Sequence, residues 1–156
     1  MVEIRQADPA DSDIRQMIDE LDAYQLAIYP AESNHLDSVD ELLRENVRFI
    51  GAYEQGELLG IGAVKYMHHD CAYGEIKRVW VRPNARGKGV SRHIMADLET
   101  DARSRNVAVL RLETGIHQPE AIGLYEALGY SARERYGDYP DDPLSVFMEK
   151  RLDAQL

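Results

Sequence analysis

The spacing of apolar residues predicts two helices in the first part of the chain. Intervals of three and four residues give an amphipathic helix an apolar face made of Ile14, Met17, Ile18 and Leu21. Asp8-Pro9 is typical of a helix start, because aspartate caps the first turn and proline suits its first position. Ser38-Val39-Asp40-Glu41 has the form of a capping box and predicts a second, short helix.

Seven strands are predicted from short apolar or alternating runs that turn residues separate. They cover residues 2–7, 49–53, 58–66, 73–81, 107–112, 130–136 and 145–152. Two more amphipathic segments are predicted helices: residues 89–105, and a segment that begins at Pro119 and ends at Gly129. The order of elements is therefore β-α-α-β-β-β-α-β-α-β-β.

This order predicts a single α/β domain, residues 1–156, with a mixed and mostly antiparallel sheet and flanking helices. Hairpins link the second, third and fourth strands, whereas a helix connects the fourth to the fifth. Such a crossover makes those two strands, 73–81 and 107–112, parallel. We expect this parallel pair to splay apart, with a ligand near the carboxyl end of the strand that leads into the glycine turn.

The overall charge limits the kinds of partner that this chain can have. With a net charge of −10, it is a poor general binder of nucleic acid or of an anionic membrane. No apolar run approaches the length of a membrane span, and the chain starts without the apolar region of a signal peptide. The single cysteine, Cys71, allows no internal disulfide, which fits a reducing compartment. We expect a cytoplasmic protein with neither nucleic acid nor membrane as its partner.

One segment departs from this acidic character. Residues 77–92 contain no acid but six of the 18 basic residues: Lys77, Arg78, Arg82, Arg86, Lys88 and Arg92. A basic segment in an acidic protein indicates a site for an anionic ligand.

The glycine-rich part of that segment follows a strand and opens a helix. Its sequence is Arg86-Gly87-Lys88-Gly89-Val90-Ser91. The start of a helix exposes unpaired backbone N–H groups and favours an anion, and glycine lets the backbone approach it closely. An ordinary basic loop before a helix has the same composition, and the two interpretations stand side by side. The order of residues does not match a P-loop of the Walker type.

Two stretches resemble the GNAT superfamily of N-acetyltransferases. Residues 75–91, E-I-K-R-V-W-V-R-P-N-A-R-G-K-G-V-S, resemble its coenzyme-binding core, in which Arg86 and Gly89 match the first two fixed positions and Ser91 replaces a glycine or alanine. Residues 119–130, P-E-A-I-G-L-Y-E-A-L-G-Y, resemble a later helix of the family, preceded here by Gln118 where the family usually has asparagine. The flanking sequences resemble a poorly characterised bacterial subgroup.

The resemblance implies acetyl-CoA as co-substrate and no metal. The residues expected to contact the coenzyme are Val79, Trp80, Val81, Arg86, Gly87, Lys88, Gly89, Val90, Ser91 and Gln118. Tyr125 is the candidate acid for the departing thiolate, and its alternative role is that of a core tyrosine on an apolar helix face. Glu75 is the candidate base, and its alternative role is an ion pair with Lys77 or Arg78.

The implied reaction is acetyl transfer to the primary amine of a small molecule by direct attack of the amine on the thioester. Two alternatives stay open: acetylation of a protein lysine or N-terminus, and a regulatory domain that binds acyl-CoA without catalysis. The presence of both Tyr125 and Glu75 favours an enzyme. The sequence also leaves open whether the chain forms a homodimer.

Other polar residues have simpler interpretations. His68-His69-Asp70-Cys71 lacks a second ligand pair at zinc spacing, so we expect no metal site there. His35 and His117 are single histidines of loops. The acidic residues of 138–143 are either a solvated turn or a loop that attracts a cationic acceptor.

Overall fold

The strands and helices follow one another in the order that the sequence predicts. The computed structural model describes residues 1–34 and 37–152. The elements are β1 (Glu3–Gln6), α1 (Ser12–Ile28), α2 (Val39–Leu42), β2 (Val47–Glu54), β3 (Glu57–His68), β4 (Ala72–Val81), α3 (Val90–Ser104), β5 (Val109–Gly115), α4 (Pro119–Ala127), β6 (Ser131–Arg133) and β7 (Ser145–Arg151). Short 3₁₀ turns cover Ala31–Ser33 and Pro83–Ala85.

All seven strands belong to one mixed sheet in the spatial order β1-β2-β3-β4-β5-β7-β6. Strands β1 to β4 are antiparallel neighbours, and β7 lies antiparallel between β5 and β6. The one parallel pair is β4 with β5, on either side of the crossover through α3. The predicted fold class is therefore confirmed.

The two faces of the sheet carry separate apolar clusters. On one face, α3 packs Ile94 and Leu98 against strand residues such as Leu110 and Leu112, and α4 adds Tyr125. On the other face, α1 packs against β2 and β3 through a cluster that includes Ile14, Met17, Ile18, Phe49 and Ile61. Successive residues of β4 and β5 therefore point to different layers, which decides where each polar side chain of these strands lies.

The predicted capping box of α2 is present. The Ser38 hydroxyl accepts the Glu41 backbone N–H at 3.2 Å, and the Glu41 carboxylate accepts the Ser38 backbone N–H at 3.3 Å. The predicted start of α1 is wrong by about one turn. Asp8 forms a turn of its own, in which its carboxylate accepts the Ala10 N–H at 2.8 Å, and the helix begins at Ser12.

Two strand ends differ from the prediction by three residues, more than any other. β5 continues to Gly115 rather than ending at residue 112, because it keeps its pairing with β7 as far as Ser145. β6 ends at Arg133 rather than at residue 136. Beyond β6 the chain leaves the sheet, and it brings Tyr136 and Tyr139 to Glu75.

Within residues 1–34 and 37–152, every helix falls short of the length and apolarity that a membrane span needs.

Removal of a buried leucine from α3 should destabilise the protein, and removal of an exposed one from α1 should not. Leu98 is fully buried, whereas Leu26 is 60% exposed. We expect Leu98→Ala to lower the free energy of unfolding by about 2–5 kcal/mol, because it leaves a cavity between α3 and the sheet. Leu26→Ala, the matched control, should change it by no more than about 0.5 kcal/mol.

Urea denaturation followed by circular dichroism measures both values. Equal losses in the two variants would mean that α3 does not carry the central part of the core.

Candidate active site

The parallel strands β4 and β5 pair over only three positions. Gly74, Glu75 and Ile76 lie opposite Leu110, Arg111 and Leu112. Both strands continue past the last of these pairs, but within the described residues their carboxyl halves no longer pair with each other. A gap therefore opens between them, as the sequence predicts for this pair.

A β-bulge in β4 lies where the gap begins. Ile61 on β3 lies opposite Trp80 and Ala63 lies opposite Lys77, so one residue of β3 faces two of β4. Within the bulge, Arg78 has a φ of 57°, in the left-handed region that residues other than glycine rarely adopt. A bulge bends its strand and ends regular pairing, which turns β4 away from β5.

The side chain of Arg78 holds the bulge in place. Its guanidinium forms an ion pair with Asp22 of α1 and donates a hydrogen bond to the backbone carbonyl of Asp37 at 2.6 Å. A left-handed conformation costs about 1–3 kcal/mol for such a residue. Because Arg78 is buried, its hydrogen bond and ion pair are the contacts that act against that cost, although its buried Nε has no partner among the described residues.

The gap encloses a cavity of about 110 Å³. Its walls come from the carboxyl halves of β4 and β5, from α1, from α4 and from the loop before β7. The residues that line it include Tyr29, Ile76, Lys77, Val79, Glu113, Gln118, Tyr125 and Tyr139.

The glycine turn follows β4 and leads into the start of α3. Gly87 and Gly89 have φ values of 82° and 77°, and Gly89 is the N-cap residue of α3. A Cβ atom at either glycine would meet no heavy atom within 4 Å, so the backbone here faces open space. Ser91 lies in the first turn, where helix N–H groups have no partner within the helix. Backbone, charge and open space at this turn fit a phosphate group.

The six basic residues of the segment 77–92 divide into two groups. Lys77, Arg78 and Arg82 form ion pairs with Asp37, Asp22 and Glu20. Arg86, Lys88 and Arg92 are exposed and, among the described residues, form no salt bridge. Only the second group, which surrounds the glycine turn, keeps its charge available to an anion.

Arg86 also contacts the strand that leads into the turn. Its Nε donates to the Val81 carbonyl at 3.0 Å, and its guanidinium lies 4.7 Å from the centre of the Trp80 ring. These contacts fix the base of the side chain beside the turn.

Tyr125 lies in the cavity wall, on the buried face of α4. Its ring makes an edge contact with Tyr130 at 5.9 Å. No described residue hydrogen-bonds to its hydroxyl, and burial raises the pKa of Tyr125 to about 12. The hydroxyl therefore stays protonated at neutral pH and can donate a hydrogen bond into the cavity.

Glu75 is buried and already has hydrogen-bond donors. The hydroxyls of Tyr136 and Tyr139 both donate to its Oε2 at 2.6 Å, and Lys77 Nζ lies 3.6 Å from its Oε1. Burial, followed by the charge of Glu75, raises the pKa of Tyr136 and Tyr139 well above the ordinary value. The ion pair with Lys77 that the sequence offers as the alternative role of Glu75 is therefore present, inside a larger network. The role of Glu75 as the base stays a prediction.

Glu113 is a site residue that the sequence analysis missed. It lies on β5 just beyond the predicted end of that strand, and it lines the cavity. Its Oε2 accepts a hydrogen bond from the Ser145 hydroxyl at 2.8 Å. Burial raises the pKa of Glu113 to about 7. The alternation of β5 puts Arg111 and Glu113 on one face and could have indicated Glu113. That indication requires the strand to continue past residue 112.

Gln118 and Tyr29 both line the cavity and are hydrogen-bonded to each other. The Tyr29 hydroxyl donates to Gln118 Oε1 at 3.2 Å and accepts the backbone N–H of His117 at 3.1 Å. The His117 ring stacks on Tyr29 at 5.3 Å. The other single histidine, His35, lies outside the described residues.

The turn before β4 contacts a buried arginine. Arg111 donates to the Asp70 carboxylate at 2.6 and 2.8 Å and lies 3.6 Å from Cys71 Sγ. In the described ranges, no three histidine, cysteine, aspartate or glutamate side chains are grouped so that they could hold a metal ion.

Comparison with known proteins gives a consistent result. The family model described as Acetyltransferase (GNAT) family matches residues 14–130. A protein of Azospirillum brasilense named IAA acetyltransferase is 40% identical over 151 residues, which cover 97% of this chain and 98% of that protein.

Solved structures show the same fold. A Klebsiella pneumoniae protein named as a candidate acyl-CoA N-acyltransferase superposes with a TM-score of 0.81 at 37% identity, over 98% of this chain and 99% of the other. The PaiA N-acetyltransferase of Thermoplasma acidophilum, solved in complex with coenzyme A, has a TM-score of 0.71 at 17% identity, over 97% and 99% of the two chains. At that identity the likeness concerns the fold alone.

The family match covers most of the chain, and the first relative is similar over nearly its whole length. The gap between β4 and β5, with a glycine turn at the start of α3, is the geometry that the sequence resemblance implies. The chain therefore belongs to the acetyltransferase (GNAT) family and is an acyl-CoA-dependent N-acetyltransferase.

Proposed function

We propose that this enzyme transfers the acetyl group of acetyl-CoA to a primary amine of a small molecule, by direct attack of the amine on the thioester. The observation that carries this proposal is the small cavity between β4 and β5, which Tyr29 and Tyr139 help to wall. A volume of about 110 Å³ suits the reacting groups and a small acceptor. A protein lysine or N-terminus needs an open groove for the neighbouring residues of the peptide.

The coenzyme is proposed to bind along the edge of β4 and at the glycine turn. Beyond Ile76 this edge no longer pairs with β5 in the described residues, and backbone groups of the segment Val79–Val81 would pair there with an extended pantetheine arm. The N–H groups from Gly87 to Ser91, together with the charges of Arg86 and Lys88, would hold the pyrophosphate. Gln118, in the wall of the cavity, is a further proposed contact.

Tyr125 is proposed to donate a proton to the sulfur that leaves. It lines the cavity from α4, and its raised pKa keeps the hydroxyl protonated throughout the neutral range. A donor placed at the sulfur stabilises the charge that develops as the carbon–sulfur bond breaks.

A panel of amines, with thiol release as the readout, tests the proposed reaction. Turnover with small primary amines and none with peptides would support it. Turnover with peptide lysines or N-termini alone would favour a protein acceptor, and coenzyme binding without any turnover would favour a regulatory domain.

The glycine turn gives the first prediction of this proposal. Gly89→Asp should weaken acetyl-CoA binding by about tenfold or more, because it puts a negative side chain where a pyrophosphate is proposed to bind. Calorimetry on the folded variant measures the affinity.

Gly56→Asp is the matched control. Gly56, in the turn between β2 and β3, also has a positive φ (80°) and open space around a Cβ position. The two variants should lose similar stability, but Gly56→Asp should bind acetyl-CoA as the wild type does. Equal affinities in all three proteins would place the pyrophosphate elsewhere.

Removal of the Tyr125 hydroxyl gives the second prediction. Tyr125→Phe should lower kcat by about 10²-fold or more with little change in acetyl-CoA affinity, since it keeps the ring and removes only the proton donor. Steady-state kinetics and calorimetry measure the two quantities.

Tyr130→Phe serves as the comparison variant. The Tyr130 hydroxyl lies in the same core but bonds to Glu99 at 3.2 Å, so its loss should affect stability rather than turnover. Wild-type kcat in Tyr125→Phe would leave Tyr125 with the structural role alone.

A further inference from the structure

Two carboxylates line the cavity, the buried Asp37 and the half-buried Glu113, and the buried Glu75 lies beside it on β4. Glu113 lies one residue past the last pair between β4 and β5, where the gap has just opened. Its Oε2 accepts the Ser145 hydroxyl, whereas its Oε1 accepts no hydrogen bond from a described residue. In Glu75, by contrast, Oε2 has two tyrosine donors and Oε1 has Lys77 nearby. Asp37 forms ion pairs with Lys65 at 3.2 Å and Lys77 at 3.1 Å. Glu113 therefore has the least occupied carboxylate of the three.

From this contrast we infer that the Glu113 carboxylate accepts the proton that the acceptor's ammonium group gives up, so that Glu113 is a catalytic residue and the acceptor binds as a cation. The inference rests on the proposed function and assigns a residue within it.

The direction of the side chain supports this role. Leu112 belongs to the apolar cluster on the α3 and α4 face, together with Tyr125. Since alternate residues of a strand point to opposite faces, Glu113 points to the other face, towards α1 and the loop before β7. Glu113 and Tyr125 both line the cavity. The proton acceptor and the proton donor therefore reach the gap from opposite faces of the sheet, so that one can act on the attacking nitrogen and the other on the departing sulfur.

The surroundings of Glu113 favour a proton acceptor that works near neutral pH. Burial is the main cause that raises its pKa to about 7, and the charges of Glu75 and Asp142 raise it further. The Ser145 hydroxyl and the Lys77 charge act in the opposite direction. The hydroxyls of Tyr29 and Tyr139, which also line the cavity, carry no charge at neutral pH because the pKa of each is raised, mainly by burial.

A carboxylate with this pKa is a stronger base than an ordinary glutamate, whose pKa is 4.5. An alkylammonium ion has a pKa of about 10.4 in water, so a stronger base makes its deprotonation less unfavourable. A base also acts best when its pKa lies near the working pH.

Glu113 takes one proton from the ammonium group, and the free amine bonds through nitrogen to the thioester carbon. The carbon–sulfur bond breaks, Tyr125 gives its proton to the sulfur, and the phenolate takes the second proton from the nitrogen. The products are the amide and the free thiol of coenzyme A, and Glu113 then releases its proton to solvent.

The pH dependence of kcat/KM tests the inference. In the wild type, kcat/KM should rise as pH increases and should show an inflection near pH 7, where Glu113 becomes ionised. Glu113→Gln should lower kcat/KM by about 10²-fold at neutral pH, should lose this inflection and should recover as pH approaches the pKa of the amine. Its affinity for acetyl-CoA should stay unchanged.

Two variants make the result specific. Glu120→Gln, at an exposed position in the first turn of α4, should follow the wild-type profile. Glu75→Gln should keep an inflection, moved towards lower pH because the charge of Glu75 no longer raises the pKa of Glu113. Loss of the inflection in Glu75→Gln, with its retention in Glu113→Gln, would overturn the inference and would assign the base to Glu75.

A direct titration gives a readout that does not need turnover. The carboxyl carbon of Glu113, followed by NMR in the complex with coenzyme A and identified by its absence from Glu113→Gln, should titrate near pH 7. A midpoint below pH 5 would overturn the inference and leave the proposed function standing. A wild-type protein that binds acetyl-CoA but acetylates no amine would overturn the proposed function, and the inference with it.

Discussion

The ion pair between Arg78 and Asp22 is the interaction on which the site depends. Arg78 occupies the bulge of β4 in a left-handed conformation, and its guanidinium reaches both α1 and the backbone of Asp37. Without this ion pair, β4 would straighten and continue its pairing with β5 past Ile76, since each additional backbone hydrogen bond between the two strands is favourable. The gap between the two strands exists because the chain stabilises a local conformation that costs free energy, as is common at functional sites.

The same ion pair explains how the basic segment is used. A run of six cations suggests a single anion site, but Lys77 and Arg78 are tied to carboxylates on the α1 side of the sheet. They neutralise the acidic side chains that surround the cavity, which would otherwise repel one another in a place with little solvent. The cations that form no ion pair with a described residue, such as Lys88, lie at the glycine turn, where the chain has already reached the start of α3. One stretch of sequence thus serves two electrostatic purposes.

The sequence predicted the parts of the molecule that local residue patterns specify. The fold class, the capping box of α2 and the glycine turn before α3 all depend on residues close together along the chain. The start of α1 was wrong because the Asp8 carboxylate bonds its own turn, an alternative that a capping rule does not distinguish. Glu113 was missed, since its place in the cavity wall depends on β5 keeping its pairing with β7, more than thirty residues away. Tyr136 and Tyr139 meet Glu75 across more than sixty residues, and no local pattern signals such a contact.

The gap in the sheet brings two chemical environments together in one cavity. The α4 side of the gap is apolar, so burial raises the pKa of Tyr125 and preserves its proton. The opposite side holds Glu75, Glu113 and Asp37 beside Lys77, an environment in which a cation is favoured and a proton can be accepted. Because neighbouring residues of a strand point to opposite faces, a step of one residue along β5, from Leu112 to Glu113, crosses from one environment to the other. The attacking nitrogen needs a proton acceptor and the departing sulfur needs a proton donor. The alternation of β5 and the buried face of α4 together bring Glu113 and Tyr125, the proposed pair, to one cavity.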